Sequence, residues 1–123
     1  IIAPADGGSG ATSTWAAAMG LNTSANSNLT PDGVGATTGC ADYTTTEFPS
    51  GWRLPTQREM MLMWLFREGI NTIYPVGALS DQYWSATEMD ADDAWSLDFT
   101  ETAPESTASR KTSTYKYRCV RDY

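Results

Sequence analysis

At 123 residues, 41% of them hydrophobic, the chain is long enough for one hydrophobic core but too short for two. It contains no histidine, which excludes His-based general base catalysis, Ser-His and Cys-His nucleophile pairs, and almost all zinc or copper sites. The net charge of −7 argues against nucleic acid as a partner, because a phosphate backbone is held by clustered Lys and Arg. No apolar run is long enough to enter a membrane, no signal peptide is visible, and Ile1 is not Met, so the sequence reads as a mature fragment or an excised domain.

Residues 1–4 are a short apolar opening expected to pair as an edge strand, and Asp6-Gly7-Gly8-Ser9-Gly10 is a Gly-rich turn. Thr12-Ser13-Thr14 offers N-caps for a first short helix, Trp15-Ala16-Ala17-Ala18-Met19, with Gly20 as its stop. Residues 21–39 hold Asn, Ser, Thr, Gly and Pro with almost nothing to bury, and read as a long exposed loop. Asn22-Thr23-Ser24 and Asn28-Leu29-Thr30 match the glycosylation acceptor pattern, a match that is common in such composition.

The strongest local signal follows, in Gly51-Trp52-Arg53-Leu54-Pro55-Thr56-Gln57-Arg58-Glu59. Thr56 and Glu59 form a capping box, and Pro55 is placed to pack on Met60 as a hydrophobic staple. From Met60 to Phe66 the sequence is apolar on every side of a helix, which predicts burial over most of its circumference. Arg67 and Gly69 fit a C-terminal cap, so the predicted helix covers 57–68, and 70–79, with Pro75 and Gly77, reads as a connector.

Beyond it the character becomes strand-like. Tyr83-Trp84-Ser85-Ala86-Thr87 is a strand candidate, and residues 94–100 alternate, with Trp95, Leu97 and Phe99 on one face and Ser96, Asp98 and Thr100 on the other. Residues 101–109 read as a polar loop. Residues 112–121 read as a last strand with Tyr115, Tyr117 and Cys119 on one face and Lys116, Arg118 and Val120 on the other. Helices first and strands second predict an α+β domain, two helices packed on a small twisted antiparallel sheet with long loops.

Cys40 and Cys119 are an isolated pair without CxxC spacing or an accompanying metal-ligand cluster. Their alternatives are a disulfide and two reduced core thiols. A disulfide closing so long a loop would contribute about 4–5 kcal/mol in the chain-entropy model and would imply an oxidising compartment.

Four separated pieces carry a family resemblance: Gly51-Trp52-Arg53-Leu54-Pro55-Thr56 with its helix, Tyr83-Trp84-Ser85-Ala86-Thr87-Glu88, Ala94-Trp95 leading to Asp98-Phe99, and Tyr117-Arg118-Cys119-Val120-Arg121-Asp122. Together, over residues 15–122, they resemble the domain at the C-terminus of the Legionella collagen-like adhesin and in the Fibrobacter succinogenes major paralogous proteins, which has a C-type-lectin-like fold. Cys40 before the Trp-Arg-Leu-Pro-Thr block and the Met-rich helix after it are most similar to C-terminal domains of Bacteroides-type fimbrial tip proteins. Some of those domains are variable proteins of diversity-generating retroelements. The resemblance implies a single C-type-lectin-like domain over 1–123, the C-terminal part of a larger surface protein, located outside the cell on a surface or fimbria. It implies a protein or glycan ligand on another cell or host surface, fimbrial or surface-protein subunits as partners, and no cofactor. The Glu-Pro-Asn and Trp-Asn-Asp signatures of calcium-dependent sugar-binding lectins are missing, and the loop at 21–39 exceeds the family's shortest versions. The rival readings are a structural cap or assembly domain with no ligand of its own and an enzyme resembling the formylglycine-generating enzymes. The latter need reactive cysteines, which a Cys40–Cys119 bond would remove.

Among candidate site residues, Glu88, Asp90, Asp92 and Asp93 crowd six positions between two strands, as a calcium loop or a solvated acidic hairpin would; the spacing is not that of an EF-hand. As a glycosidase pair they would need a sugar cleft and one raised pKa, and the sequence indicates neither. Trp52, Trp64, Trp84 and Trp95 are expected in the core, with Met60, Met61 and Met63, and Arg53 is expected to be a structural cation with a carboxylate or carbonyl partner. No catalytic or metal-binding residue is expected, and no membrane insertion. A helix buried all round offers little surface, so contact with a ligand is assigned to the strand-connecting loops and outward sheet residues: Tyr83, Ser85, Met89, Asp90, Asp92, Asp93, Ser96 and Asp98, with Arg110 and Lys111 from the last loop.

Overall fold

The computed structural model describes residues 1–20, 39–100 and 102–123. Most of the predicted long loop, with both glycosylation patterns, lies outside the described residues. The fold is α+β. In chain order the elements are helix α1 (Trp15–Met19), strand β1 (Trp52–Arg53), helices α2 (Gln57–Leu65) and α3 (Arg67–Ile73), and strands β2 (Gln82–Glu88), β3 (Asp93–Asp98), β4 (Glu105–Arg110) and β5 (Val120–Arg121). The strands form two antiparallel sheets, β1-β5 and β2-β3-β4. No helix among the described residues is long and apolar enough to cross a membrane.

Local chemistry starts the helices where the sequence places them. Thr14 caps α1 by accepting the Ala17 N–H, and Gly20 closes that helix at φ 90°, a left-handed conformation suited to glycine. In α2 the Thr56 hydroxyl accepts the Glu59 N–H at 3.2 Å and the Glu59 carboxylate accepts the Thr56 N–H at 2.8 Å, completing the capping box. Glu59 has a second task. Its two oxygens receive both Arg53 Nη atoms at 2.8 Å, while Asp122 receives Arg53 Nη2 at 2.9 Å. Arg53 thereby ties β1, the start of α2 and the C-terminal segment, using a bidentate pair with Glu59.

The other end of α2 corrects the sequence reading. The helix stops at Leu65, the chain kinks at Phe66 (φ −101°, ψ 14°), and α3 begins at Arg67 and runs to Ile73, so Gly69 and the start of the expected connector lie within a helix. Helical bonding runs across the kink, because Phe66 N–H donates to the Leu62 carbonyl and the Phe66 carbonyl accepts from Ile70 N–H. Arg67 does take the C-terminal position: its Nη1 donates to the Trp64 carbonyl at 2.9 Å and its guanidinium lies 3.8 Å over the Trp64 ring. Nor is α2 buried all round. Met60, Met63 and Trp64 are buried, but Leu62, Leu65 and Phe66 are 53%, 62% and 66% exposed. With 100° between successive residues these two trios occupy opposite arcs, and only one arc meets the sheet.

The second half also departs from expectation. β4 occupies residues read as loop and pairs with β3 without interruption from Asp93↔Arg110 to Asp98↔Glu105. Its sequence, Glu-Ser-Thr-Ala-Ser-Arg, lacks an apolar alternation because it is an edge strand whose order comes from the backbone ladder. The expected last strand shrinks to β5. Before it, residues 115–119 act as a seam: Ser13 and Tyr115 exchange backbone bonds, Lys116 bonds to Gln82 and Trp84, Tyr117 accepts from Gly7 and Cys119 from Ala3. Four successive residues there, Tyr117, Arg118, Cys119 and Val120, are buried, so no alternation survives. Cys119 is bonded to Cys40 with Cα atoms 5.5 Å apart, which selects the disulfide over the reduced thiols.

Two hydrophobic clusters result. One gathers Trp15, Ala18, Cys40, Trp52, Leu54, Trp84, Tyr117 and Cys119; the other gathers Met60, Met63, Trp64, Leu79, Tyr83, Leu97, Phe99 and Val120. Tyr83 and Trp84 are neighbours on β2 and enter different clusters, so the three-stranded sheet is covered on both faces. The indoles of Trp15, Trp52 and Trp84 each donate to a carbonyl, of Ser85, Phe48 and Ser13. Trp95, expected in the core, is only half-buried and belongs to neither cluster. Its partner across the ladder is Ala108 of the edge strand, whose side chain is too small to cover it.

Trp84→Ala is therefore expected to cost about 3–5 kcal/mol by denaturant unfolding, and Trp95→Ala clearly less. A second expectation concerns pH. The Arg53 hydrogen bonds, with the Thr56 N–H, hold the Glu59 carboxyl at about 2 against an ordinary 4.5. A depressed carboxylate stabilises the fold above its unfolded value and loses that contribution as pH falls from about 4.5 to about 2. Thermal melts of Glu59→Gln should show a lower Tm than wild type near neutrality and a gap that closes over this acid window.

Candidate functional site

The β2–β3 hairpin carries most of the exposed contact candidates, and its shape is set from inside. Met89 and Asp90 N–H groups donate to the Asp93 carbonyl at 2.9 and 3.2 Å. The Asp90 carboxylate accepts the N–H groups of Asp92 and Asp93, each at 2.8 Å, and these bonds hold its carboxyl below the usual range. Beneath the tip lies Lys111, with no exposed side-chain surface. Its backbone N–H donates to the Asp92 carbonyl at 2.9 Å, its Nζ donates to Glu88 Oε1 at 2.5 Å and to the Ala91 carbonyl at 3.0 Å, and the ammonium sits 4.4 Å from the centre of the Trp15 ring. A buried cation thus braces three points of the loop. Arg110 lies above, 3.8 Å from Asp93, as an exposed ion pair of small energetic weight.

Met89, Asp90, Asp92 and Arg110 are exposed and adjoin one another at this tip, with Asp93 half-exposed beside them. Asp98 sits at the far end of β3, where its carboxylate accepts from the Thr100 N–H and hydroxyl. Four other candidates leave the contact surface because they are buried: Tyr83, Ser85, Ser96 and Lys111. The Tyr83 hydroxyl donates to Asp6 at 3.1 Å, and burial followed by the Asp6 charge pushes its pKa up. The Ser85 hydroxyl donates to the Trp95 carbonyl at 2.7 Å, and the Ser96 hydroxyl bonds with Gln82, Ser109 and the Thr107 carbonyl. Alternation assigns polar residues outward, but a sheet covered on both faces turns small hydroxyls into hydrogen-bonded core.

The acidic crowd does not converge on a cation. Glu88 faces Lys111, Asp93 faces Arg110 and Asp90 faces backbone N–H groups. Among the described residues no group of three or more His, Cys, Asp or Glu is placed to hold a metal ion.

Sequence reasoning missed both buried cations. Arg118, assigned outward by alternation, has no exposed side-chain surface, lies 3.5 Å from Asp6 and donates to the Gly77 carbonyl. Burial raises the Asp6 pKa, with the Arg118 charge opposing it. The available signal was the cysteine next door: a residue flanking a buried disulfide is drawn inside with it. Trp15 was also missed as core, because its short helix shows no amphipathic period.

Lys111→Met keeps the apolar stem on Trp15 and removes the brace, leaving the Ala91 carbonyl and Glu88 without a donor. A loss of about 1–3 kcal/mol is expected, with faster amide hydrogen exchange at Met89, Asp90 and Asp93 while the β3–β4 amides keep their relative protection.

A search among curated proteins finds no match to this chain. Residues 5–121 match the family model of the Lcl C-terminal domain, so nearly the whole chain is covered. The chain belongs to the Lcl C-terminal domain family.

Proposed function

We propose that this domain is a ligand-binding or adhesion module displayed outside the cell as part of a larger surface protein. Membership of the Lcl family supports placement in a surface protein, and the buried disulfide supports an oxidising environment. The observation that carries the reading is the braced hairpin tip. Met89, Asp90, Asp92 and Arg110 are exposed on a loop whose backbone is held by Asp90 and Lys111, so a partner would meet a preformed surface with little ordering cost. In this reading the ligand is a protein or glycan on another cell, and the parent is a fimbrial tip protein or a comparable surface protein. The tip side chains can vary, by retroelement diversification or otherwise, because the packing energy resides in the clusters beneath. The domain acts without catalysis: its disulfide occupies the two cysteines that chemistry of the formylglycine-generating type requires.

One observation favours a second reading, assembly within the surface protein. Leu62 and Leu65 of α2 and Phe66 at the kink after it form an exposed apolar stripe at i, i+3, i+4 spacing, a surface of the kind that packs against another subunit.

The readings separate by mutation. Replacing Met89, Asp92 and Arg110 together by Ala should leave the melting temperature within a few degrees, as surface changes do, and weaken adhesion of domain-coated beads to target cells by about ten-fold or more. Replacing Leu62, Leu65 and Phe66 by Ser should leave bead adhesion intact. Adhesion lost only in the second variant would select the assembly face instead.

A further inference from the structure

We infer that the outer edge of β4 is a docking site for an extended polypeptide segment of a partner protein, taken up as an additional strand of the β2-β3-β4 sheet. Such a sheet has two edges, and among the described residues only the β2 edge is closed. There the Trp84 N–H donates to the Lys116 carbonyl at 3.0 Å and the Lys116 N–H donates to the Gln82 carbonyl at 3.1 Å. β4 pairs with β3 alone. The phase of that ladder identifies the groups left over. Opposed residues of an antiparallel pair alternately bond to each other and turn their N–H and C=O groups away. The Lys111 N–H donates to the Asp92 carbonyl at 2.9 Å in register with the ladder, which makes Asp93↔Arg110 a non-bonded pair and Ala94↔Ser109 a bonded one. Further along, Thr107 and Glu105 bond to β3, whereas Ser106, Ala108 and Arg110 direct their backbone groups outward. The Arg110 carbonyl accepts from the Ser113 N–H at 2.9 Å. Among the described residues the N–H groups of Ser106, Ala108 and Arg110 and the carbonyls of Ser106 and Ala108 have no partner.

A row of donors and acceptors repeating at every second residue matches the backbone of another extended chain. The usual guards of an edge are missing from the middle of β4, because the ladder has no bulge and residues 106–109 include neither Pro nor a charge. Side chains then narrow the partner. Trp95 is half-buried and stands opposite Ala108, so a large apolar side chain on the incoming strand, placed beside Ala108, would lie over the small residue and cover the indole. Glu105 is exposed at the start of β4 and the chain carries a net −7, which favours a basic residue beside Glu105. A second copy of this chain fits less well. Two β4 strands paired antiparallel about Thr107 would use the Ser106 and Ala108 groups but set Ser106 beside Ala108, leaving Trp95 uncovered, and would bring together two chains that each carry −7.

The experiment is amide hydrogen exchange and NMR titration of the full chain with an end-capped peptide, Lys-Thr-Val-Phe-Val-Thr-Lys, in which Phe beside Ala108 sets a Lys beside Glu105. In the free chain the Ser106 and Ala108 amides should exchange readily while those of Thr107 and Ser109 are protected. The peptide should bind with sub-millimolar affinity and protect Ser106 and Ala108. Replacing its Phe by Ala, or N-methylating its Phe and both Thr, should weaken binding about ten-fold or more; N-methylating both Val should not, because those nitrogens face away from β4. Ala108→Pro removes a donor that the fold does not use and should abolish binding with the melting temperature within a few degrees. The Met89, Asp92, Arg110 triple variant keeps its backbone N–H at 110 and should bind the peptide as wild type, so failure of the hairpin reading and failure of this one are distinguishable. The inference is overturned if the Ser106 and Ala108 amides are already protected in the free chain, if the peptide does not shift them, or if N-methylation of its Phe and Thr leaves binding unchanged. Protection that grows with protein concentration alone would overturn it in favour of a second copy.

Discussion

Tyr83 and Trp84 are consecutive on one strand and neither has any exposed surface. Successive strand residues point to opposite faces, so burying both requires a cover on each side of the sheet. On the Tyr83 side α2 supplies Met60, Met63 and Trp64; on the Trp84 side α1 supplies Trp15, and the disulfide and Tyr117 complete the packing. The two-residue strand β5 and the seam before it hold these covers in place, since that segment bonds in turn to Ser13 just before α1, to β2, to the N-terminal segment and to β1. A sheet of only three strands could not otherwise protect two aromatic cores.

Two-sided burial forces polar groups inside, and most of them are satisfied locally, although Arg118 Nε and Nη1, Asp6 Oδ1 and Trp64 Nε1 are buried without a hydrogen-bond partner. Ser85, Ser96 and Ser109 become internal hydrogen-bonding groups. Lys111 and Arg118 are the extreme cases. Each has its charge opposed by one carboxylate, Glu88 or Asp6, and each uses a further donor to fix a loop carbonyl, Ala91 or Gly77. Such pairs gain little net stability against an apolar replacement, because desolvation offsets the attraction. Their effect here is positional: loops that carry no core of their own are fastened to the core by a cation reaching outward from it.

That division between a heavily constrained interior and loops fastened to it by a few hydrogen bonds shapes the functional reading. The hairpin tip and the outer arc of α2 contribute little to the two clusters, so their exposed side chains are available for contact. A scaffold of this kind separates folding from recognition, and the family to which the chain belongs is consistent with a domain presented on a surface protein.

The sequence by itself determined the local events: the caps of α1 and α2, the capping box, the need of Arg53 for a carboxylate or carbonyl partner, the α+β order and the candidacy of two lone cysteines, all set by residues within a few positions of one another or by composition. It also determined the family. What only the tertiary structure decided was which face of each element would be covered. The Met60 to Phe66 run is apolar all round, and its Leu62, Leu65 and Phe66 stay exposed because only one side of the helix has a neighbour. Ser96 alternates like a surface residue and is buried because β3 is the central strand of a sheet with both faces covered. β4 has no apolar pattern and is a strand because β3 offers it a complete ladder. Periodicity reports how one element could be amphipathic; the number of partners it finds is a property of the assembled chain, and that number decided which residues of this protein face solvent.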